Sequence, residues 1–136
     1  MIQQTPAQSH ARPLVVLADD DEFHSEIVSM WLDRQGFDVV KFPSGDELLA
    51  WARGGPNTPP HAFLLDVEMP GSDGFQVHQE LRRLAPFEAT PTLFVSGIEQ
   101  LSERARAAGA AGFRKDEHLL PRITAWLTEE ALPKAG

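Results

Sequence analysis

Residues 14–22 read LVVLADDDE, an apolar run followed without a break by Asp19, Asp20, Asp21 and Glu22. The run is short and rich in branched side chains, which suits a strand buried on both faces. The acidic cluster ends it abruptly. Beyond the cluster, Phe23, Ile27, Met30, Trp31 and Arg34 recur at three- and four-residue spacing, predicting a helix with an apolar stripe on one face, and Gly36 is a natural stop. A strand, a group of carboxylates and a helix are thus laid out in the first part of the chain.

The same alternation continues. Residues 37–42, aromatic and β-branched, predict a second strand, and Ser44 with Glu47 has the spacing of a capping box opening a helix that carries Leu48, Leu49 and Trp51. Residues 54–60, rich in Gly, Pro and Asn, read as a loop. A third strand over 62–65 ends at Asp66, a turn spans 69–74, and Phe75, Val77, His78, Leu81 and Leu84 mark the next helix. Residues 92–95 form a fourth strand ending at Ser96 and Gly97, a helix is expected from about 99 to 108, a short strand lies around Phe113, and the last helix carries Leu119, Leu120, Ile123, Trp126 and Leu127. Short connections and right-handed crossovers combine these units into an α/β fold, a doubly wound five-stranded parallel sheet with helices on both faces. The expected organisation is one domain over 13–130, with 1–12 as a flexible lead-in and 131–136 as a tail too short for an output domain.

Composition narrows the class. The chain has 136 residues, no cysteine, and 20 acidic against 12 basic side chains for a net charge of -8. Disulfides, thiolate catalysis and Cys-ligated metal are excluded, and a reducing, cytoplasmic setting is the expectation. The negative charge argues against direct nucleic-acid binding through phosphate neutralisation. No apolar run approaches the ~20 residues of a membrane span, so membrane insertion is not expected.

In a sheet of this kind, functional groups gather beyond the carboxyl ends of the strands. Four sets fall there: Asp19 and Asp20 after the first strand, Asp66 after the third, Ser96 after the fourth and Lys115 by the fifth. Taken singly, the acidic run could be a helix cap, Asp66 a turn former, Ser96 a turn hydroxyl and Lys115 a solvated edge residue. Their convergence favours a site. Three carboxylates at one edge repel each other unless a hard cation offsets them, and Mg2+ is the natural occupant, with Asp20 and Asp66 as direct ligands and Asp19 acting through water. Lys115 and Ser96 supply the positive charge and hydroxyl that a transferring phosphoryl group needs, and Asp66 the nucleophile. The five histidines show no metal-ligand spacing and are expected in surface or interface roles.

Two segments also carry a resemblance. LVVLADD at 14–20 and LLDVEMPGSDGF at 64–75 resemble the first strand and the phosphoacceptor segment of response-regulator receiver domains. The resemblance implies the flavodoxin-like strand order 2-1-3-4-5, Asp66 as phosphoacceptor, Asp19 and Asp20 as the acidic pair, Glu68 giving a backbone carbonyl to Mg2+, Ser96 as the switch hydroxyl, Lys115 as the conserved-type lysine and Phe113 as the switch aromatic. The implied partners are a sensor histidine kinase or a histidine phosphotransfer protein upstream and a protein target downstream, with a homodimer left open. Catalysis would then be confined to the chain's own phosphorylation and dephosphorylation, which leaves open whether it is an enzyme. A phosphorylation-independent adaptor and a Mg2+-dependent small-molecule phosphohydrolase are the alternatives. The segment from Ser96 to Lys115 is shorter than the family's usual spacing, with part of the loss between Gly109 and Lys115, and Asp116 stands where a proline commonly follows the lysine. Changes in the fourth helix and in the reach of Lys115 are the expected consequence.

Overall fold

The computed structural model describes residues 12–55 and 58–131. Most of the expected lead-in and tail, and residues 56–57 of the expected loop, lie outside that range. Five strands, β1 (Leu14–Ala18), β2 (Asp38–Phe42), β3 (Ala62–Asp66), β4 (Thr92–Ser96) and β5 (Ala111–Arg114), alternate with five helices, α1 (Glu22–Arg34), α2 (Gly45–Arg53), α3 (Gly74–Leu81), α4 (Leu101–Ala107) and α5 (Leu119–Glu129). The strands pair in parallel in the order β2-β1-β3-β4-β5, as the resemblance implies. No helix among the described residues is long and apolar enough to cross a membrane.

Side chains alternate along each strand and so divide the core into two layers. Val16, Ala18, Phe63, Leu65 and Phe94 face α2, α3 and α4, where they meet Leu48, Leu49, Val77, Leu81, Leu101 and Ala105. Val15, Leu17, Leu64, Leu93 and Val95 face α1 and α5, against Val28, Leu32, Leu119, Ile123 and Leu127. Every residue of β3 and β4 is buried. Each large side chain so removed from water contributes ~1.5–3 kcal/mol, which fixes the central strands far more firmly than the edges.

Several local expectations change. The period of α1 is as expected but its phase is not: Ser25, Val28 and Leu32 are buried, whereas Phe23 is 76% exposed and Met30 51%. The helix contacts the sheet through the second stripe because Val28 and Leu32 meet the layer formed by β1 and β3. At α2 only half of the capping box forms, Ser44 Oγ accepting from the Glu47 N–H at 3.1 Å. The complete box is at α3, where Asp73 accepts from Gln76 N–H at 2.9 Å and the Gln76 side chain accepts from Asp73 N–H at 2.8 Å. α3 ends at Leu81 rather than running on to Leu84. α4 starts only at Leu101, after Gln100 in the left-handed region with φ 61°.

Candidate active site

β1 and β3 are neighbours, with Ala18 opposite Leu65, so Asp19 and Asp66 emerge side by side at the carboxyl edge. Both are buried, at 3% and 5% exposure, and Asp20 beside them is exposed. Carboxylate oxygens of Asp19, Asp20 and Asp66 all lie within 4.8 Å of one another. The chain after Asp66 folds tightly back: Glu68 N–H donates to Asp66 Oδ1 at 3.3 Å and Gly74 N–H to Val67 O at 2.9 Å. Gly74 has to be glycine for this, since a Cβ there would stand 2.5 Å from the Asp66 carbonyl oxygen. The start of α3 is thereby drawn against the end of β3.

The two buried carboxyls behave differently. Burial pushes the Asp66 carboxyl up, Lys115 opposes this and Asp19 adds to it, leaving its pKa raised to about 6. Burial also pushes Asp19 up, but a hydrogen bond from His24, the Asp21 N–H and the Lys115 charge together hold it below the usual value. The site therefore contains one settled anion and one whose charge is poorly compensated.

Lys115 reaches this pair despite the shortened segment. Its backbone N–H donates to Ser96 O at 3.3 Å, continuing the β4–β5 ladder, and its Nζ stands 3.3 Å from Asp66 Oδ2 and 3.8 Å from Asp19 Oδ2. Its side chain is 29% exposed. Ser96 is fully buried at the end of β4, where its Oγ accepts from Ile98 N–H at 3.2 Å, which leaves the hydroxyl proton free to be donated elsewhere. Asp19, Asp20, Asp66 and Lys115 are thus brought together, with Ser96 on the adjacent strand end and Glu68 on the loop above Asp66.

Phe113 is not where a switch aromatic coupled to Ser96 would have to be. It pairs with Val95 and packs on the layer that faces α1 and α5, with Arg122 of α5 stacked 4.3 Å over its ring. Ser96, two residues on from Phe94, shares the face that packs against α4. The β5 residue facing α4 is Gly112, whose added Cβ would meet Leu101 Cγ at 2.9 Å and Ala105 Cβ at 3.1 Å. Side chains alternate with period two, so loss of a single residue before Lys115 exchanges the faces. The role of switch aromatic beside the Ser96 hydroxyl, which the resemblance implies for Phe113, is therefore corrected: the two side chains lie on opposite faces of the sheet.

Sequence reasoning also missed two histidines. His24 Nδ1 lies 2.7 Å from Asp19 Oδ2, and His78 is buried with its ring edge-on to Phe94 at 5.3 Å. The signal for both was positional: His24 is adjacent to buried Ser25 on α1, and His78 adjoins Val77 in the buried stripe of α3.

Residues 15–115 match the family described as the response regulator receiver domain. The chain belongs to this family. The receiver is 29% identical over 131 residues to the DNA-binding dual master transcriptional regulator RpaA of Synechocystis sp., covering 91% of this chain and 53% of that protein. It thus spans about half the length of this relative. The fold is similar to that of chemotaxis response regulator CheY4 of Vibrio cholerae, with a TM-score of 0.73 at 23% identity over 90% of this chain and 100% of the other. It is also similar to response regulator protein TrrA of Thermotoga maritima, solved in complex with Mg(2+)-BeF, with a TM-score of 0.72 at 18% identity over 88% and 99% of the two chains. In this receiver domain the acidic cluster of Asp19, Asp20 and Asp66 is the family's active-site cluster, consistent with a switch operated by aspartate phosphorylation.

Proposed function

We propose that this receiver takes a phosphoryl group onto Asp66 from a sensor histidine kinase or a histidine phosphotransfer protein, and thereby changes the surface it offers to a downstream protein. The observation that carries the reading is the placement of Lys115 Nζ 3.3 Å from Asp66 Oδ2, beside three converging carboxylates. That combination offers a nucleophile, a cation-binding set and a fixed positive charge at one point.

The donor set is all carboxylate oxygen, which suits a hard divalent ion, and the raised Asp66 carboxyl marks negative charge in need of compensation. Asp19, Asp20, Asp66 and the Glu68 carbonyl would hold Mg2+. When bound, the ion screens the phosphoryl oxygens from the carboxylates. The binding of that ion in TrrA supports the assignment. Asp66, ionised at neutral pH, attacks phosphorus; its P–O bond forms as the P–N bond to the donor's imidazole breaks and the imidazole leaves. No proton has to be taken from Asp66. Lys115 neutralises charge on the incoming oxygens, and the Ser96 hydroxyl donates to one of them. The α1 face carrying exposed Phe23, Ile27 and Met30 begins next to Asp20, which supports docking of an apolar helical surface on the donor beside the pocket. Direct binding of nucleic acid forms no part of the reading, because charge disfavours it.

Intact-mass measurement after incubation with acetyl phosphate tests the proposal. The unmodified chain should gain one phosphoryl group in Mg2+ and none in chelator, and Asp66→Asn should gain none. Equal labelling of Asp66→Asn would sink the assignment, and an unlabelled native chain would favour the adaptor.

A further inference from the structure

His24 stands in the first turn of α1, where the Asp21 side chain caps its backbone N–H at 3.0 Å. Its ring turns back toward the pocket and reaches Asp19 Oδ2 with Nδ1 at 2.7 Å. The other Asp19 oxygen, Oδ1, accepts from Asp21 N–H at 2.9 Å, so both oxygens of a buried carboxylate are tied down from the α1 side. Lys115 Nζ lies 3.8 Å from the same Oδ2. Asp19 is thus held between a close neutral or cationic donor and a more distant ammonium. His24 itself is not one of the groups whose ligand atoms converge with those of Asp20 and Asp66, and its side chain is 23% exposed.

We propose that His24 is a positioning residue for the cation site, donating from Nδ1 to Asp19 Oδ2 so that the carboxylate keeps its rotation toward Asp20 and Asp66 instead of closing on Lys115. The proposal rests on the reading of the acidic cluster as a Mg2+ site. It has a double consequence. Without His24, Oδ2 loses its close donor, Asp19 is held only through Oδ1 and the Asp21 N–H, and the nearest remaining charge to draw Oδ2 is Lys115. Closure of that pair would weaken the cation site and pull the lysine away from Asp66, so metal affinity and phosphoryl uptake would fall together. Partners that orient a metal-ligating group commonly set affinity by ~10–100-fold, although they never touch the ion.

The test is a Mg2+ titration of the full chain, followed by amide shifts, for the native protein, His24→Leu, His24→Asn and His24→Gln, with Asp20→Ala alongside. The Asn amide nitrogen can take the place of Nδ1, whereas that of Gln falls nearer the place of Nε2, so Asn should restore what Leu loses and Gln should not. The expected result is a ~10–100-fold loss of affinity in His24→Leu and His24→Gln, with His24→Asn within ~3-fold of native. Should the Leu variant fail to fold, the difference between Asn and Gln carries the test. If Asp20→Ala abolishes binding while every His24 variant binds within ~3-fold of native, the proposal is wrong and the Mg2+ reading stands. If the native chain shows no Mg2+ response, or Asp20→Ala leaves it unchanged, the cluster reading falls and takes this proposal with it.

Discussion

The ends of β1 and β3 and the stretch from β4 to β5 border the same pocket but are held in place differently. On the first side, Asp19 follows a strand buried but for Leu14, Asp66 ends one buried throughout, and Gly74 packs so closely that a Cβ there would stand 2.5 Å from the Asp66 carbonyl oxygen. On the second, Gln100 is in a left-handed conformation, α4 is only seven residues long, and β5 is half-exposed along its length. The nucleophile cannot be displaced without opening the core, at several kcal/mol for each large side chain unpacked. The lysine is long and flexible, so an edge strand can lose length and still deliver Nζ to Asp66. The shortening falls instead on what needs a particular face, and Phe113 ends up against α5. Chemistry is anchored centrally, and the relay from the pocket is carried by the part of the fold free to diverge.

The largest expected effect lies on the central side. In metal-free buffer at pH 7, Asp66→Asn should stabilise the fold by ~1–3 kcal/mol, because it removes a buried charge whose compensation is incomplete. The sign of the pH dependence follows from the raised carboxyl. Between the unfolded value near 3.8 and the folded value of about 6, the folded state holds more protons than the unfolded state. The contribution of Asp66 to stability should therefore be fully present below that window, fall as pH rises through it, and level off above, whereas Asp19, held below its usual value, loses its contribution only as pH falls below the window; Asp66→Asn should flatten the slope between pH 4 and 6. Urea unfolding across this range in chelator measures it. A native chain whose stability rises from pH 4 to 6, with the slope lost in Asp66→Asn, would mean that Asp66 is well compensated after all.

Much of this contrast could be read in the sequence, for physical reasons. β1 and β3 are buried on both faces and so appear as uninterrupted apolar runs, and the acidic residues that end them mark the sheet edge directly. What escaped was azimuth and register. α1 offers two apolar stripes, Phe23, Ile27 and Met30 or Val28 and Leu32, and helical periodicity alone does not say which one meets the sheet. The His24 contact with Asp19 depends on that same rotation. The face of Phe113 depends on counting residues back from Lys115 in a strand of period two, where a single missing residue reverses the answer.

Phe113→Ala tests the relay side. The ring is partly buried, packs on the α5 layer and lies under Arg122, so truncation should cost ~1–2 kcal/mol of stability, of which the cation–π contact supplies ~0.5–1. Acetyl phosphate uptake should stay within ~2-fold of native, corresponding to a barrier change of only ~0.4 kcal/mol. A mass-based time course on the folded variant decides the matter. Uptake reduced tenfold or more would show that Phe113 communicates with Ser96 despite facing away from it, and the division between the two regions would fail.

The smallest expected effect, and the most local, is at Gln100. This residue adopts φ 61° and ψ 22° just before α4, a conformation in which an L side chain crowds its own backbone at a cost of ~1–2 kcal/mol. Its side chain makes no capping hydrogen bond and is exposed, while its carbonyl accepts from Arg104 N–H at 3.0 Å, a bond that any residue there would keep. Gln100→Gly removes the crowding and sacrifices no capping hydrogen bond. Against this, glycine gives the unfolded chain more freedom, worth ~0.5–1 kcal/mol in the opposite direction. The balance is a net gain of ~0.5–1 kcal/mol, or roughly 2–5 °C in melting temperature for a domain of this size. Gain of stability without change in Mg2+ affinity or phosphoryl uptake would show that the shortened segment stores strain the pocket does not use. A melting temperature lowered by the substitution would mean that the left-handed turn is held by interactions of the Gln100 side chain, and that the edge is as closely specified as the centre.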